Sequence, residues 1–283
     1  MRQLLVYASF VRFSHSVFAL PFALVGALLA ARTTPLTWTR VLWIAVCMVA
    51  ARSAAMGFNR LVDAEYDARN PRTSMRELPR GRISRFEATV FVVLASAVFV
   101  FAASRLSTLC LMLAPVALAM VFWYSLAKRY TSYTQLFLGL AMAVAPVGGW
   151  LAAGGRGSWT PWLLGLAIGL WVGGFDVLYA CQDVDVDRRE GLHSIPVRFG
   201  IPKSLLLSRA MHLLTIVALT TLGVVEALGP VYFAGVAGVT VLLMWEQSMV
   251  SAHDLSQVKR AFDMNGWVGI LYFVTTAAAL YWP

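Results

Sequence analysis

Nine apolar runs of about twenty residues follow one another along the chain, near 13–32, 40–58, 87–104, 107–127, 133–153, 159–181, 204–226, 229–250 and 264–282. Each is long enough to cross a hydrocarbon core of roughly 30 Å as a helix, and only helices or closed barrels satisfy their backbone hydrogen bonds inside lipid. The pattern predicts an all-α integral membrane protein with nine transmembrane helices and one transmembrane domain over residues 1–283. Composition agrees, since 59% of residues are hydrophobic and 13% charged, which no soluble domain of this size sustains. The first run follows Arg2 and Arg12, as in a signal peptide, but no small-residue cleavage site follows it and eight more runs do, so a retained helix is expected. Cys47, Cys110 and Cys181 are odd in number and lie in or at the end of helical runs, which argues against a disulfide framework or metal cluster.

Lysine and arginine set the expected orientation, because cytoplasmic loops carry their excess. With the N-terminus inside, fifteen fall in cytoplasmic loops (the largest group being Arg60 to Arg85) and only Arg32, Arg40, Arg105 and Arg156 in the opposite ones. The net charge of +9 is thereby concentrated on one side, where it suits anionic lipid headgroups or an anionic ligand and does not imply nucleic acid. An inner-membrane protein of a prokaryotic cell, with its polar face in the cytoplasm, is the expected setting.

Nine of the fourteen acidic residues lie in or beside the two longest polar loops. Asn59, Asp63 and Asp67 recur at i, i+4 and i+8, so a continuing second helix carries them on one face, about 6 Å apart along its axis. Asp183 and Asp187 repeat the i, i+4 spacing at the end of the sixth run. Like charges one turn apart repel, and more strongly where lipid lowers the dielectric, so a cation between them is expected. Oxygen ligands without His or Cys suit Mg²⁺, which binds carboxylates together with substrate phosphate oxygens. Two facing pairs could hold two such ions around a diphosphate, with nearby arginines on the remaining oxygens. A solvated loop of mixed charge is the plainer reading of either motif alone, and the matched pair on one membrane side weighs against it.

These motifs resemble those of the UbiA superfamily of membrane prenyltransferases: NRLVDAEYD is similar to its NDxxDxxxD, DVDVD to its DxxxD, YSLAK at 124–128 to its YxxxK, and the RT..R.LP.G stretch runs from Arg72 to Gly81. Arg60 departs from the pattern, which has Asp there, removing a ligand and adding a positive charge near the phosphates. The stretches ARSAAMGFNR, NPRTSMRELPRG, GFDVLYACQD and HSVFALPFAL look most like the branch serving menaquinone synthesis by the futalosine route, often labelled 4-hydroxybenzoate polyprenyltransferase-like.

The resemblance implies a UbiA-type bundle and transfer of a prenyl group from an allylic polyprenyl diphosphate to an aromatic acid, 4-hydroxybenzoate or dihydroxynaphthoate, in ubiquinone or menaquinone synthesis. It implies Mg²⁺, two ions, on Asp63, Asp67, Asp183 and Asp187 with Asn59 as ligand or support, and phosphate contacts from Lys128, Arg60, Arg72 and Arg129. Tyr124 belongs to the YxxxK match and is a candidate to stabilise an allylic cation.

Arg52 is seven residues before Asn59, within the second run, where an arginine costs roughly 2.5 kcal/mol or more unless paired. A carboxylate on the aromatic acceptor and an internal bridge to Asp176 are both open as its partner. Arg12 and His15 share a face and suit the headgroup level. Protohaem or chlorophyllide as acceptor, and a lipid-diphosphate carrier without catalysis, remain alternatives; the carrier is disfavoured because its helix breaks should sit near the midplane, whereas the polar residues here gather at one face.

Overall fold

The computed structural model describes residues 6, 7, 9–11 and 20–282. Arg12 and His15, and the start of the first predicted helix, lie outside the described residues. Among the described residues the regular structure is helical, apart from an isolated bridge between Ser251 and Asp254.

The order is α1 (Leu20–Ala30), α2 (Trp38–Arg69), α3 (Arg85–Leu106), α4 (Thr108–Ala127), α5 (Thr134–Ala152), α6 (Thr160–Ala180), α7 (Val184–Arg189), α8 (Ile195–Phe199), α9 (Ile201–Val225), α10 (Pro230–Ser248) and α11 (Val258–Tyr281). Among the described residues six stretches are long and apolar enough to cross a membrane: α2, α3, α4, α5, the α6–α7 stretch Thr160–Arg189, and α9. The shorter α1 is apolar, and α10 and α11 occupy the last two predicted runs.

Boundaries follow local chemistry. Thr37 caps α2 by accepting from the Arg40 amide, and Ser84 forms a capping box with Glu87 at the start of α3. Ser107 ends α3 and caps α4, so a single residue turns the chain between two antiparallel helices.

One expected continuation and one departure from the sequence pattern build the site. Helix α2 has 32 residues, about 48 Å of rise against a hydrocarbon core of roughly 30 Å, so its final turns carry Asn59, Asp63 and Asp67 beyond the apolar stretch. At the end of α6 the chain does not continue as one α-helix: Cys181–Asp183 tighten into a 3₁₀ turn before α7 resumes. The expected i, i+4 pair on one helix is therefore corrected, with Asp183 in the 3₁₀ turn and Asp187 in the short helix.

The largest core joins α1, α5, α6, α9, α10 and α11. Phe22 packs against Trp171 with ring centroids 4.9 Å apart, while the Tyr232 and Tyr272 hydroxyls meet at 3.0 Å and Tyr232 also donates to the Leu219 carbonyl. Buried hydroxyls in lipid need such partners. At the helix ends away from the acids, Arg32 on the α1–α2 turn reaches the Glu226 carboxylate at 2.8 Å and Thr160 of α6 donates to the same group.

Helices α1 and α5 touch backbone to backbone. A Cβ at Gly149 would lie 1.9 Å from the Ala23 carbonyl oxygen, and one at Gly26 2.1 Å from that of Pro146, whereas a Cβ at Gly148 meets nothing within 4 Å. Small residues permit this approach where lipid supplies no hydrophobic drive between helices. Gly149→Ala is expected to destabilise the bundle by about 1–3 kcal/mol, the usual cost of overpacking, and Gly148→Ala to leave it unchanged. Thermal unfolding of both variants in detergent checks the contrast.

Candidate active site

Three segments meet at one end of the bundle: the tail of α2 with the loop 70–84, the end of α4, and the stretch from Asp183 to Ser194. Arg69 at the end of α2 pairs with Glu190 just after α7 at 3.0 Å. The His193 amide donates to the Lys128 carbonyl at 2.7 Å, and the Ile195 amide to the Gln135 side-chain oxygen at 3.1 Å. These bonds bring together the two acidic motifs, more than a hundred residues apart in the chain.

Asp63, Asp67 and Asp183 each meet a base. Lys128, the residue after α4, reaches Asp63 at 2.6 Å, with Arg129 3.8 Å from the other oxygen. Asn59 donates to Asp63 at 3.3 Å. One Arg76 nitrogen contacts both Asp67 oxygens at 2.8 and 2.7 Å. Arg72 grips Asp183 with two nitrogens, at 3.1 and 2.6 Å, and Asn70 adds a donor at 3.4 Å. Its third nitrogen donates to the Tyr179 hydroxyl at 2.9 Å. Burial works against the Arg72 charge, but Asp183 more than offsets it, so the guanidinium pKa lies above its ordinary value. Asp187 lies beside Ser194, in the field of Asp183, Lys128 and Arg72.

Asp63 and Asp67 are buried at 3% and 6% exposure, which is tolerable only because cations sit against them. The donor set of four aspartates and an asparagine is all oxygen, the chemistry that fits a hard divalent ion. Among the described residues no three acidic, histidine or cysteine side chains stand together in ligating positions; Asp63, Asp67 and Asp183 are turned onto basic groups instead.

Below this mouth lies an apolar cavity of about 690 Å³ between α1–α6, lined by residues such as Ile44, Met48, Phe99, Leu113, Met142 and Leu166. Arg52 and Tyr124 are in its wall, one turn before Lys128 in the case of Tyr124 and two before Asn59 in that of Arg52. From Tyr124 the lining continues along α4 to Cys110, about four turns or ~21 Å. Tyr124 feels the charges of Asp176, Arg52 and Asp63, and Phe122, two residues before it, packs against Phe58 in a tilted pair with ring centroids 4.5 Å apart.

Arg60 is placed differently from its expected position beside phosphates. It is 4% exposed, pairs with Glu77 at 2.8 Å and lies 6.0 Å from the Phe10 ring. Ser9 donates to the other Glu77 oxygen at 2.5 Å. Sequence reasoning also left out Arg76, Asn70 and Tyr66, whose ring has Arg69, Lys128 and Arg129 at 5.4, 5.8 and 5.3 Å. Only Arg76 had a signal, as the second arginine of the RT..R stretch; the others depend on how the loop folds back.

Comparison with known proteins identifies this arrangement. The family model described as the UbiA prenyltransferase family matches residues 19–269. The chain belongs to the UbiA prenyltransferase family. It is similar to proteins named 4-hydroxybenzoate octaprenyltransferase: 31% identical to that of Cronobacter sakazakii over 83% of this chain and 82% of the relative, and 30% identical to that of Vibrio vulnificus over 86% and 85%. The apo structure of a UbiA homolog from Aeropyrum pernix K1 superposes with a TM-score of 0.85 at 35% identity, covering 93% of this chain and 96% of that one. A UbiA homolog from Archaeoglobus fulgidus, solved with DMAPP and Mg²⁺, shares the fold with a TM-score of 0.75 at 16% identity over 98% and 99% of the two chains. This UbiA chain is thus a membrane prenyltransferase by family.

The buried Arg60–Glu77 pair anchors the loop of this UbiA protein. Removing one member of such a pair costs roughly 3–5 kcal/mol, whereas an apolar replacement of both is often neutral. Glu77→Ala is expected to lower the unfolding midpoint, by the equivalent of roughly 3 kcal/mol, and Arg60→Met with Glu77→Leu to recover most of the loss. Scanning fluorimetry of the three proteins in detergent measures both effects.

Proposed function

We propose that this chain transfers a polyprenyl group from an allylic polyprenyl diphosphate to an aromatic acid, 4-hydroxybenzoate or a dihydroxynaphthoate, with Mg²⁺, in respiratory quinone synthesis. One observation carries the reading: paired acidic and basic groups for a metal diphosphate stand directly over an apolar cavity whose wall holds Arg52. The names of the bacterial relatives favour 4-hydroxybenzoate, and the DMAPP and Mg²⁺ of the Archaeoglobus homolog support the donor and the ion. The same reading takes the chain as a single domain of nine spans with its N-terminus inside, in the inner membrane of a prokaryotic cell, and its site at the cytoplasmic face.

Asp63, Asp67, Asp183 and Asp187 would hold Mg²⁺, two ions in this reading, with Asn59 as a further oxygen ligand or as the donor that orients Asp63. Bound there, Mg²⁺ supplies the positive charge that stabilises a departing diphosphate. Lys128, Arg72 and Arg129 donate to phosphate oxygens, where charge accumulates as the allylic C–O bond breaks. Arg60, matched by Glu77, contributes by holding the loop that carries Arg72.

The prenyl chain lies in the apolar cavity, which excludes the water that would quench an allylic cation. Tyr124 faces that cation at the cavity's polar end, where a π face is attractive. Arg52 binds the acceptor carboxylate, turning the ring carbon toward the allylic carbon, so a C–C bond replaces the broken C–O bond. The ring carbon then gives up its proton, with the C–H electron pair restoring aromaticity and the proton leaving with the released diphosphate.

Purified protein given a prenyl diphosphate, 4-hydroxybenzoate and Mg²⁺ is expected to release diphosphate and prenylated acid, read by mass spectrometry, and to stop when the metal is chelated. Asp187→Asn should lower turnover by about 100-fold or more, the scale of losing a group that stabilises transition-state charge, with the unfolding midpoint retained. Wild-type rates in that variant would remove Asp187 from the metal set. Arg52→Ala should raise the KM for the aromatic acid by about 10-fold or more while leaving that for the donor nearly unchanged, as expected when uniform binding of one substrate is lost. Equal rises in both constants would assign Arg52 to the framework.

A further inference from the structure

The loop 70–84 is anchored along its length. Thr73 donates to the Asp67 carbonyl, Glu77 holds Arg60 and Ser9, and Ile83 packs with Phe10, Val11 and Ala88. From this fixed backbone Arg72 and Arg76 extend onto Asp183 and Asp67, engaging both oxygens of each. A carboxylate whose two oxygens are already held by a guanidinium has lost most of its capacity for a metal, and a divalent ion arriving beside that guanidinium meets a positive charge. Metal entry therefore requires the arginines to leave, and their planar donor forks need another oxyanion to go to. A diphosphate is such an oxyanion, because phosphate matches the same fork geometry as carboxylate.

We propose that Arg72 and Arg76 stand in for the metal cations while the site is empty of substrate, so that it takes up the metal together with the diphosphate and holds free metal poorly. This rests on the magnesium diphosphate reading above. On loading, each guanidinium exchanges a carboxylate for phosphate oxygens without any excursion of the loop, and the freed aspartates turn to the metal. The exchange keeps both acids neutralised at every stage, since Asp67 and Asp183 each start with a guanidinium against them and end with the metal. It also makes binding of the two ligands mutually reinforcing, because linkage requires each to raise the other's affinity by the same factor.

The experiment uses Mn²⁺ as a spectroscopic probe for Mg²⁺ and the full-length chain in detergent. Free Mn²⁺ is titrated by electron paramagnetic resonance against wild type, the Arg72→Gln with Arg76→Gln variant, and Arg80→Gln as an exposed control. The double variant is expected to bind free Mn²⁺ more tightly than wild type by about 10-fold or more, within the 5–150-fold range usual for coupled sites, and the control to match wild type. Donor affinity at saturating metal should move the opposite way. Equal Mn²⁺ affinity in wild type and double variant overturns the proposal while leaving the metal reading intact. Should the variant fail to fold, wild type alone decides: Mn²⁺ affinity must rise about 10-fold or more with inorganic pyrophosphate, after subtracting chelation measured without protein, and no rise overturns the proposal. Absence of Mn²⁺ binding in every protein, with or without pyrophosphate, sinks the metal reading itself and this inference with it.

Discussion

Four aspartates are gathered at the mouth of an apolar bundle, and the structure depends on how their charge is compensated. Bringing carboxylates out of water costs several kcal/mol per ion unless a counter-charge with good geometry is supplied. Here Lys128, Arg76 and Arg72 supply it to Asp63, Asp67 and Asp183 at 2.6–2.7 Å. Each compensating base comes from a segment other than the helix turn that carries its acid. The ion pairs therefore also fasten the loop 70–84 to α2 and the 3₁₀ turn, and the end of α4 to α2.

The basic residues divide into two kinds. Arg60 is buried against Glu77 and serves as an anchor, its position fixed by Ser9 and Phe10. Arg72 and Arg76 are partly accessible, at 34% and 20% of their side chains, and remain able to meet a ligand. An anchored backbone with accessible guanidinium heads can change partners quickly, because only side-chain torsions have to move. Tyr66 adds a ring beside Arg69, Lys128 and Arg129, whose π face supplements the carboxylates of Asp63 and Glu190 in holding these like charges close together.

Beneath the charged mouth the chemistry changes within two helical turns. The cavity wall is almost wholly aliphatic and aromatic, with Arg52 and Tyr124 at the end nearest the acids. Such a gradient lets one molecule be held by its charged head in a polar, cation-rich place and by its hydrocarbon tail in a dry one. Tight helix contacts at Gly26, Gly139 and Gly149 keep α1, α5 and α6 close around one side of that cavity.

Hydrophobic run length alone made the six long apolar stretches legible, since the cost of an unpaired peptide group in lipid leaves few alternatives to a helix of about twenty residues. Spacing of Asn59, Asp63 and Asp67 along 3.6-residue turns made their shared face legible too. What one-dimensional pattern could not supply was partnership. The 3₁₀ turn that separates Asp183 from Asp187, the Arg76–Asp67 and Arg72–Asp183 pairs, and the diversion of Arg60 to Glu77 all arise between segments distant in the chain. Local sequence determines which residues form a helix and which face they share, because those depend on neighbours within a turn or two. Which acid meets which base was decided by the packing of the bundle, because electrostatic pairing acts through space and only the tertiary structure sets those distances.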